Sequence, residues 1–162
     1  HVVGTMNTAD RSIALMDVAL RRRFTFEEMM PDADALSDAL AEANVDEALR
    51  TLVVAVFTKL NERLRYLYDR EHQIGHAYFT GCTSLAAVED VMRHKVIPLL
   101  SEYFYEDWSK VAAVLGDGPQ GPSRFLEARR LTAPPGIADD DFSGERLRWR
   151  VKDQFDFSAF AA

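Results

Sequence analysis

Residues 46–68 carry the feature that most constrains this chain. Leu49, Leu52, Val53, Val56, Phe57, Leu60, Leu64 and Leu67 recur at intervals of three and four. An α-helix is the structure that gathers such positions on one face. A face of that length needs covering, and neighbouring segments are patterned to cover it. Residues 32–43 read as a shorter helix with Leu36 and Leu40 four apart and Asn44 at its C-terminal cap. Thr83 or Ser84 caps a helix predicted over 85–105, lined by Val88, Val91, Met92, Val96, Leu99, Leu100 and Phe104. Pro98 inside it predicts a kink or a division. A last short helix over 108–115 is stopped by Gly116. The stretch 69–81 between helices reads as a loop with a short strand at 77–79.

The two flanks differ in texture. Residues 2–6 are uncharged and partly β-branched, which predicts a short buried strand, and Phe24-Thr25-Phe26 predicts a second. Between them a helix is expected, started by Asp10 or Ser12 and carrying Ile13, Leu15, Met16, Val18, Ala19 and Leu20. It ends in Arg21, Arg22 and Arg23, cations that suit the negative end of a helix dipole. A strand at residue 2 without sheet neighbours exposes its pairing edges, and the chain opens on His1 directly before it, so the start is read as a truncation or a proteolytic end. At the other end, residues 116–123 read as a Gly/Pro linker and 125–131 as a strand. Pro134-Pro135-Gly136 is a turn, and Asp139, Asp140 and Asp141 a solvated loop. Leu147, Trp149 and Val151 alternate with Arg146, Arg148, Arg150 and Lys152, the pattern of a half-buried strand with a basic outer face. A solvated face is the default reading of those cations; contact with DNA or a partner is the alternative.

Composition narrows the function classes. A net charge of −7 argues against strong non-specific DNA binding by this piece alone. The single cysteine, Cys82, precludes an internal disulfide and a cysteine-based metal site, and fits a cytoplasmic location. The longest apolar run, 52–57, is too short to span a bilayer, so no membrane association is expected.

The strongest chemical signal is Gly4-Thr5-Met6-Asn7-Thr8-Ala9-Asp10-Arg11-Ser12, followed by Asp17-Val18-Ala19-Leu20-Arg21-Arg22-Arg23-Phe24. It places a neutral amide, Asn7, at the tip of a predicted strand, the edge at which open α/β sheets bind ligands. A helix then delivers guanidiniums, planar and permanently charged donors suited to phosphate oxygens. In isolation Asn7 is equally a turn or cap residue, and the arginine run a solvated helix end.

These blocks resemble the second half of a AAA+ nucleotide hydrolase, and more narrowly the McrB family, the motor subunits of restriction systems that cleave DNA with modified cytosine. Gln73-Ile74-Gly75-His76-Ala77-Tyr78-Phe79 and Ile97-Pro98-Leu99-Leu100-Ser101-Glu102-Tyr103-Phe104-Tyr105 are similar to that family as well. The resemblance covers about residues 1–117. It implies a mainly α fold: a remnant of the AAA+ α/β core over 1–31, a helical lid over 32–117, and a linker with a small β-containing extension over 118–162. It implies that Asn7 is the sensor of the terminal phosphate, called sensor 1. Arg22 is the first choice for an arginine finger reaching a neighbouring subunit, with Arg21 and Arg23 beside it. Asp10 and Arg11 would serve the nucleotide or the subunit contact, and His76 or Tyr78 a second sensor in the lid. Cofactors would be GTP or ATP with Mg2+ in the full-length protein. Partners would be a homo-oligomeric ring, expected to be a hexamer, a nuclease subunit of the McrC type, and DNA through regions absent here.

The departures weigh as much. No Gly-x-x-x-x-Gly-Lys-Ser/Thr loop is present to cradle phosphates, and no apolar strand ends in Asp-Glu ahead of Asn7. The chain by itself is therefore expected to be inactive and to hold no nucleotide tightly. Two other readings stay open: a AAA+ chaperone-type motor resembling the MoxR group, and a non-catalytic interaction module.

Other chemistry-bearing residues have plainer readings. His76 has Asp69 and Glu71 close in sequence, yet a lone histidine is more often a structural hydrogen-bonder. His72 and His94 show no metal-ligand spacing. Glu27, Glu28, Glu102, Glu106 and Asp107 read as solvated surface. Cys82 lacks an adjacent base. Tyr103, Phe104, Tyr105 and Trp108 read as core rather than as a base-stacking platform.

Overall fold

The computed structural model describes residues 1–6, 19, 22–118, 122–132 and 146–160. The described chain is mainly α. Helices α1 (Ala33–Glu42) and α2 (Glu47–Leu67) pack against one another. Helix α3 (Leu85–Val91) runs through a π-helical turn (Met92–Val96) directly into α4 (Ile97–Tyr103), and α5 (Trp108–Leu115) lies against α2 and α4. Strands β1 (Leu126–Arg130) and β2 (Leu147–Val151) form a two-stranded antiparallel sheet.

The helix boundaries follow from local chemistry. Asp32 caps α1 and Asp46 caps α2, each carboxylate accepting two backbone N–H bonds that the first turn cannot satisfy itself. Ser84, not Thr83, caps α3. Asn44 follows α1 with φ 57°, the left-handed backbone that asparagine tolerates at such an end. The stripe on α2 is the centre of the core: Val53, Val56, Leu60 and Leu64 are fully buried there, against Leu36 and Leu40 of α1 and Leu100 of α4.

Around Pro98 the expected helix is divided, by a π-helical turn between α3 and α4. Proline has no N–H to give the carbonyl four residues back, and its ring crowds that carbonyl. The backbone answers with a wider turn just upstream, in which the Ile97 N–H bonds the Met92 carbonyl five residues back.

Three expectations need correction. Residues 77–79 are no strand: His76–Tyr78 is a 3-10 turn, in which the Tyr78 and Phe79 N–H groups donate to the carbonyls three residues back, Gly75 and His76. The strands expected at 2–6 and 24–26 are absent as well. Val2 and Val3 are 80% and 94% exposed, and Phe24 stands half exposed. A strand exists only through ladder bonds to a neighbour, and among the described residues β1 and β2 alone form a ladder. The helix expected between them lies largely outside the described residues.

The extension at the C-terminal end shares the helical core. Phe125, Leu126, Phe157 and Phe160 are buried with the helix stripe, and Phe125 touches Phe155, Phe157 and Phe160 edge-on or tilted. The β1–β2 register pairs Leu126 with Val151, Ala128 with Trp149 and Arg130 with Leu147 on one face, and Glu127 with Arg150 and Arg129 with Arg148 on the other. The alternation expected for 147–151 is present, with Arg148 and Arg150 exposed between half-buried neighbours.

Candidate functional site

Of the residues singled out from sequence, Asn7, Asp10, Arg11 and Arg21 lie outside the described residues. Arg22 and Arg23 stand exposed in a turn that ends before Thr25. Neither makes an ion pair among the described residues. Their guanidiniums are thus free to meet an anion from outside the chain.

The path from that turn to the helices is braced at two points by the loop after α2. Arg70 Nη2 donates to Glu28 Oε2 at 2.6 Å, and the Asp32 backbone N–H donates to His76 Nδ1 at 3.2 Å. The second bond makes Nδ1 an acceptor, so the neutral ring carries its proton on Nε2. His76 therefore sits at the joint between the arginine-bearing segment and α1, beside the Asp32 cap. Asp69, close to it in sequence, is engaged elsewhere. It holds His72, with Nδ1 at 2.8 Å from both carboxylate oxygens, and caps the turn through the Glu71 and His72 N–H groups. Burial alone would raise the Asp69 carboxyl; the side-chain and backbone bonds from His72, its charge and the Glu71 N–H outweigh that and hold it below the usual carboxylate range. His72 packs edge-on to Tyr68 and Tyr103, which stack on each other. Burial raises the Tyr103 phenol. Tyr78 is 38% exposed at the end of the 3-10 turn.

What fixes this loop is a residue the motif reading passed over. Asn61 on α2 is 6% exposed, donates to the Ile74 carbonyl at 3.0 Å and accepts the Ile74 N–H at 2.7 Å. One amide thus satisfies one peptide completely and pins the turn that carries His76. Its sequence signal was there: a polar residue inside the apolar stripe, between Leu60 and Leu64.

Asp117 is a second such anchor. It is 7% exposed and accepts the N–H groups of Arg124, Phe125 and Leu126 at 2.9, 2.7 and 2.7 Å. Gly116 delivers it there at φ 82°, and a Cβ at that position would stand 2.8 Å from Arg63 Nη1. Arg63 itself donates to the Val114 and Ala159 carbonyls and lies 5.0 Å from the centre of the Phe160 ring. Burial pulls its guanidinium below the ordinary arginine value. Arg93, presented by the π turn, donates to the Lys152 and Asp153 carbonyls at 2.7 and 2.9 Å and stacks 4.4 Å over Phe155. No spacing rule separates these two arginines from solvated ones.

The remaining candidates are structural. Cys82 is buried and its thiol is pushed up to about 11 by burial, which rules out a ready thiolate. Phe104 is core and Tyr103 and Trp108 pack against it, whereas Tyr105 is 88% exposed. Among the described residues no group of acidic, histidine or cysteine side chains is arranged to hold a metal ion. No described helix is long and apolar enough to cross a membrane.

Residues 52–112 match the family model for the McrB alpha-helical lid domain. Over that segment the chain is similar to a McrB lid. The match begins within α2, runs through the His76 turn, the π turn and α4, and ends in α5, so it takes in most of the core just described. The chain is also 32% identical, over 121 residues, to the type IV methyl-directed restriction enzyme EcoKMcrB subunit of Escherichia coli (strain K12). That similarity covers 66% of this chain and 26% of that protein, so the chain spans about a quarter of its relative's length. The McrB-type lid places Asn61 and the Asn61–Ile74 clasp inside the matched segment, and leaves Asp117 and the hairpin beyond its end.

Proposed function

We propose that the chain is the C-terminal part of a McrB-like AAA+ nucleotide hydrolase of a DNA restriction system. In it, Asn7 senses the terminal phosphate and Arg22, flanked by Arg21 and Arg23, is the finger offered to a neighbouring subunit's nucleotide. The observation that carries this reading is the lid match over 52–112, downstream of arginines at 22 and 23 that are exposed and make no ion pair among the described residues. An arginine in that state contributes little to its own chain's stability, and a finger acts on nucleotide bound elsewhere. GTP or ATP with Mg2+ would be held by residues this chain lacks, in a ring of copies working with a nuclease subunit of the McrC type on DNA. Asp10 and Arg11 would line the nucleotide or the subunit contact. His76, anchored through Nδ1 to the Asp32 N–H, has Nε2–H left to report on the joint, and Tyr78 stands beside it.

The test is steady-state hydrolysis of GTP and of ATP by the full-length protein and its Arg22→Ala variant. Loss of a finger lowers the rate by roughly a thousandfold or more. Undiminished activity would mean that the arginine run is only a helix end.

A further inference from the structure

Two rows of uncompensated charge stand on different elements of this chain. On α1, Asp34, Asp38 and Glu42 are exposed four residues apart, with no cation on the helix and no ion pair to any of the three among the described residues. Like charges at that spacing repel along the helix. On the hairpin, Arg129 stands directly opposite Arg148, both exposed, and cross-strand like charges repel at about 5 Å. Arg150 on the same face is held by Asp153 at 2.7 Å and faces Glu127, but among the described residues Arg129 and Arg148 have no carboxylate partner. Glu127, Arg129, Arg148, Trp149 and Arg150 line one shallow depression.

The two rows match in pitch. Four residues of helix advance about 6 Å, and cross-strand or alternate-residue neighbours on a sheet lie about 5–7 Å apart. Successive guanidiniums on the hairpin can therefore meet successive carboxylates on a helix, as forked pairs. We propose that the Arg129–Arg148 face of one copy docks on the Asp34, Asp38, Glu42 row of a second copy. The contact is head-to-tail, so each copy keeps one row of each kind for a further copy. A second copy fits better than a nucleic acid. Two unpaired cations sit on a chain of net charge −7, with Glu127 on the same face, whereas the acidic row matches them in spacing and sign. This contact uses neither Asn7 nor Arg22 and stands apart from their roles.

The experiment is sedimentation velocity of the full-length protein without nucleotide, at low and at high salt. Arg129→Glu with Arg148→Glu, and separately Asp34→Lys with Asp38→Lys, should each weaken self-association about five- to tenfold at low salt. Combining all four should restore it, and high salt should erase the difference. The neutral pair Arg129→Gln with Arg148→Gln should weaken it less while keeping the circular dichroism of the wild type. Unchanged association in the reversal variants, or no restoration in the combination, would overturn the proposal. So would a hairpin reversal that leaves association intact and instead loses retention on duplex DNA, which would assign the face to a phosphate backbone. Failure of Arg22→Ala to affect hydrolysis would leave this contact untouched.

Discussion

The helical body and the segment ahead of it are similarly apolar in sequence, yet they end in opposite states. Leu36, Val53, Leu60 and Leu100 are completely buried, while Val2, Val3, Phe24 and Met29 face outward. The difference lies in where each finds its hydrogen bonds. A helix satisfies its backbone within itself, so its apolar stripe needs only another helix to cover it. A strand satisfies its backbone only with a neighbour, so the same apolar content stays uncovered when no neighbour is at hand. The β1–β2 hairpin makes the point from the other side: its two strands supply each other's ladder, and Asp117, Arg63 and Arg93 tie it to the helices.

That contrast can be broken most sharply at Asp117. Asp117→Ala would orphan three backbone N–H groups, two of them on buried residues, and should destabilise the protein by about 3 kcal/mol or more, with the hairpin released first. Chemical denaturation together with amide exchange of residues 124–130 would show it. Stability within about 0.5 kcal/mol of wild type would mean the hairpin is not anchored as described. Asn61→Ala comes next. It strands both polar groups of the buried Ile74 peptide and should cost about 2 kcal/mol. Its signature is early exchange across 69–79, and an exchange pattern like that of wild type would remove Asn61 as the clasp. The smallest effect belongs to the outward-facing segment: Val3→Asp and Phe24→Ser should shift stability of this chain by no more than about 0.5 kcal/mol. A cost of 2 kcal/mol at either position would show that this segment packs after all.

The helical body was legible in sequence because its signals are local. The period of α2, the caps at Asp32, Asp46 and Ser84 and the stop at Gly116 each act within a few residues of where they are read. What escaped was carried by contacts across long stretches of chain. Asn61 reaches thirteen residues onward, Arg63 reaches Ala159 and Arg93 reaches Lys152, and nothing near them in sequence announces a partner. Pro98 announced a division of its helix, and what sequence did not show is that a π turn makes it. The strand readings at 2–6 and 24–26 rested on composition, which reports willingness to pair and not the presence of a partner. His76 was singled out by motif, and its bond to Asp32 spans forty-four residues.

The measurement that bears most directly on the motor reading is a mixing experiment with the full-length protein. Arg22→Ala is combined with a variant of the phosphate loop that the motor reading requires upstream, and hydrolysis is followed across mixing ratios. Each variant alone should be nearly inactive, because one lacks the finger and the other lacks bound nucleotide. A finger acting between subunits predicts partial rescue in the mixture, greatest where mixed neighbours are most frequent. A mixture that stays as inactive as its components, with association intact, would contradict the placement of Arg22 at a neighbour's nucleotide.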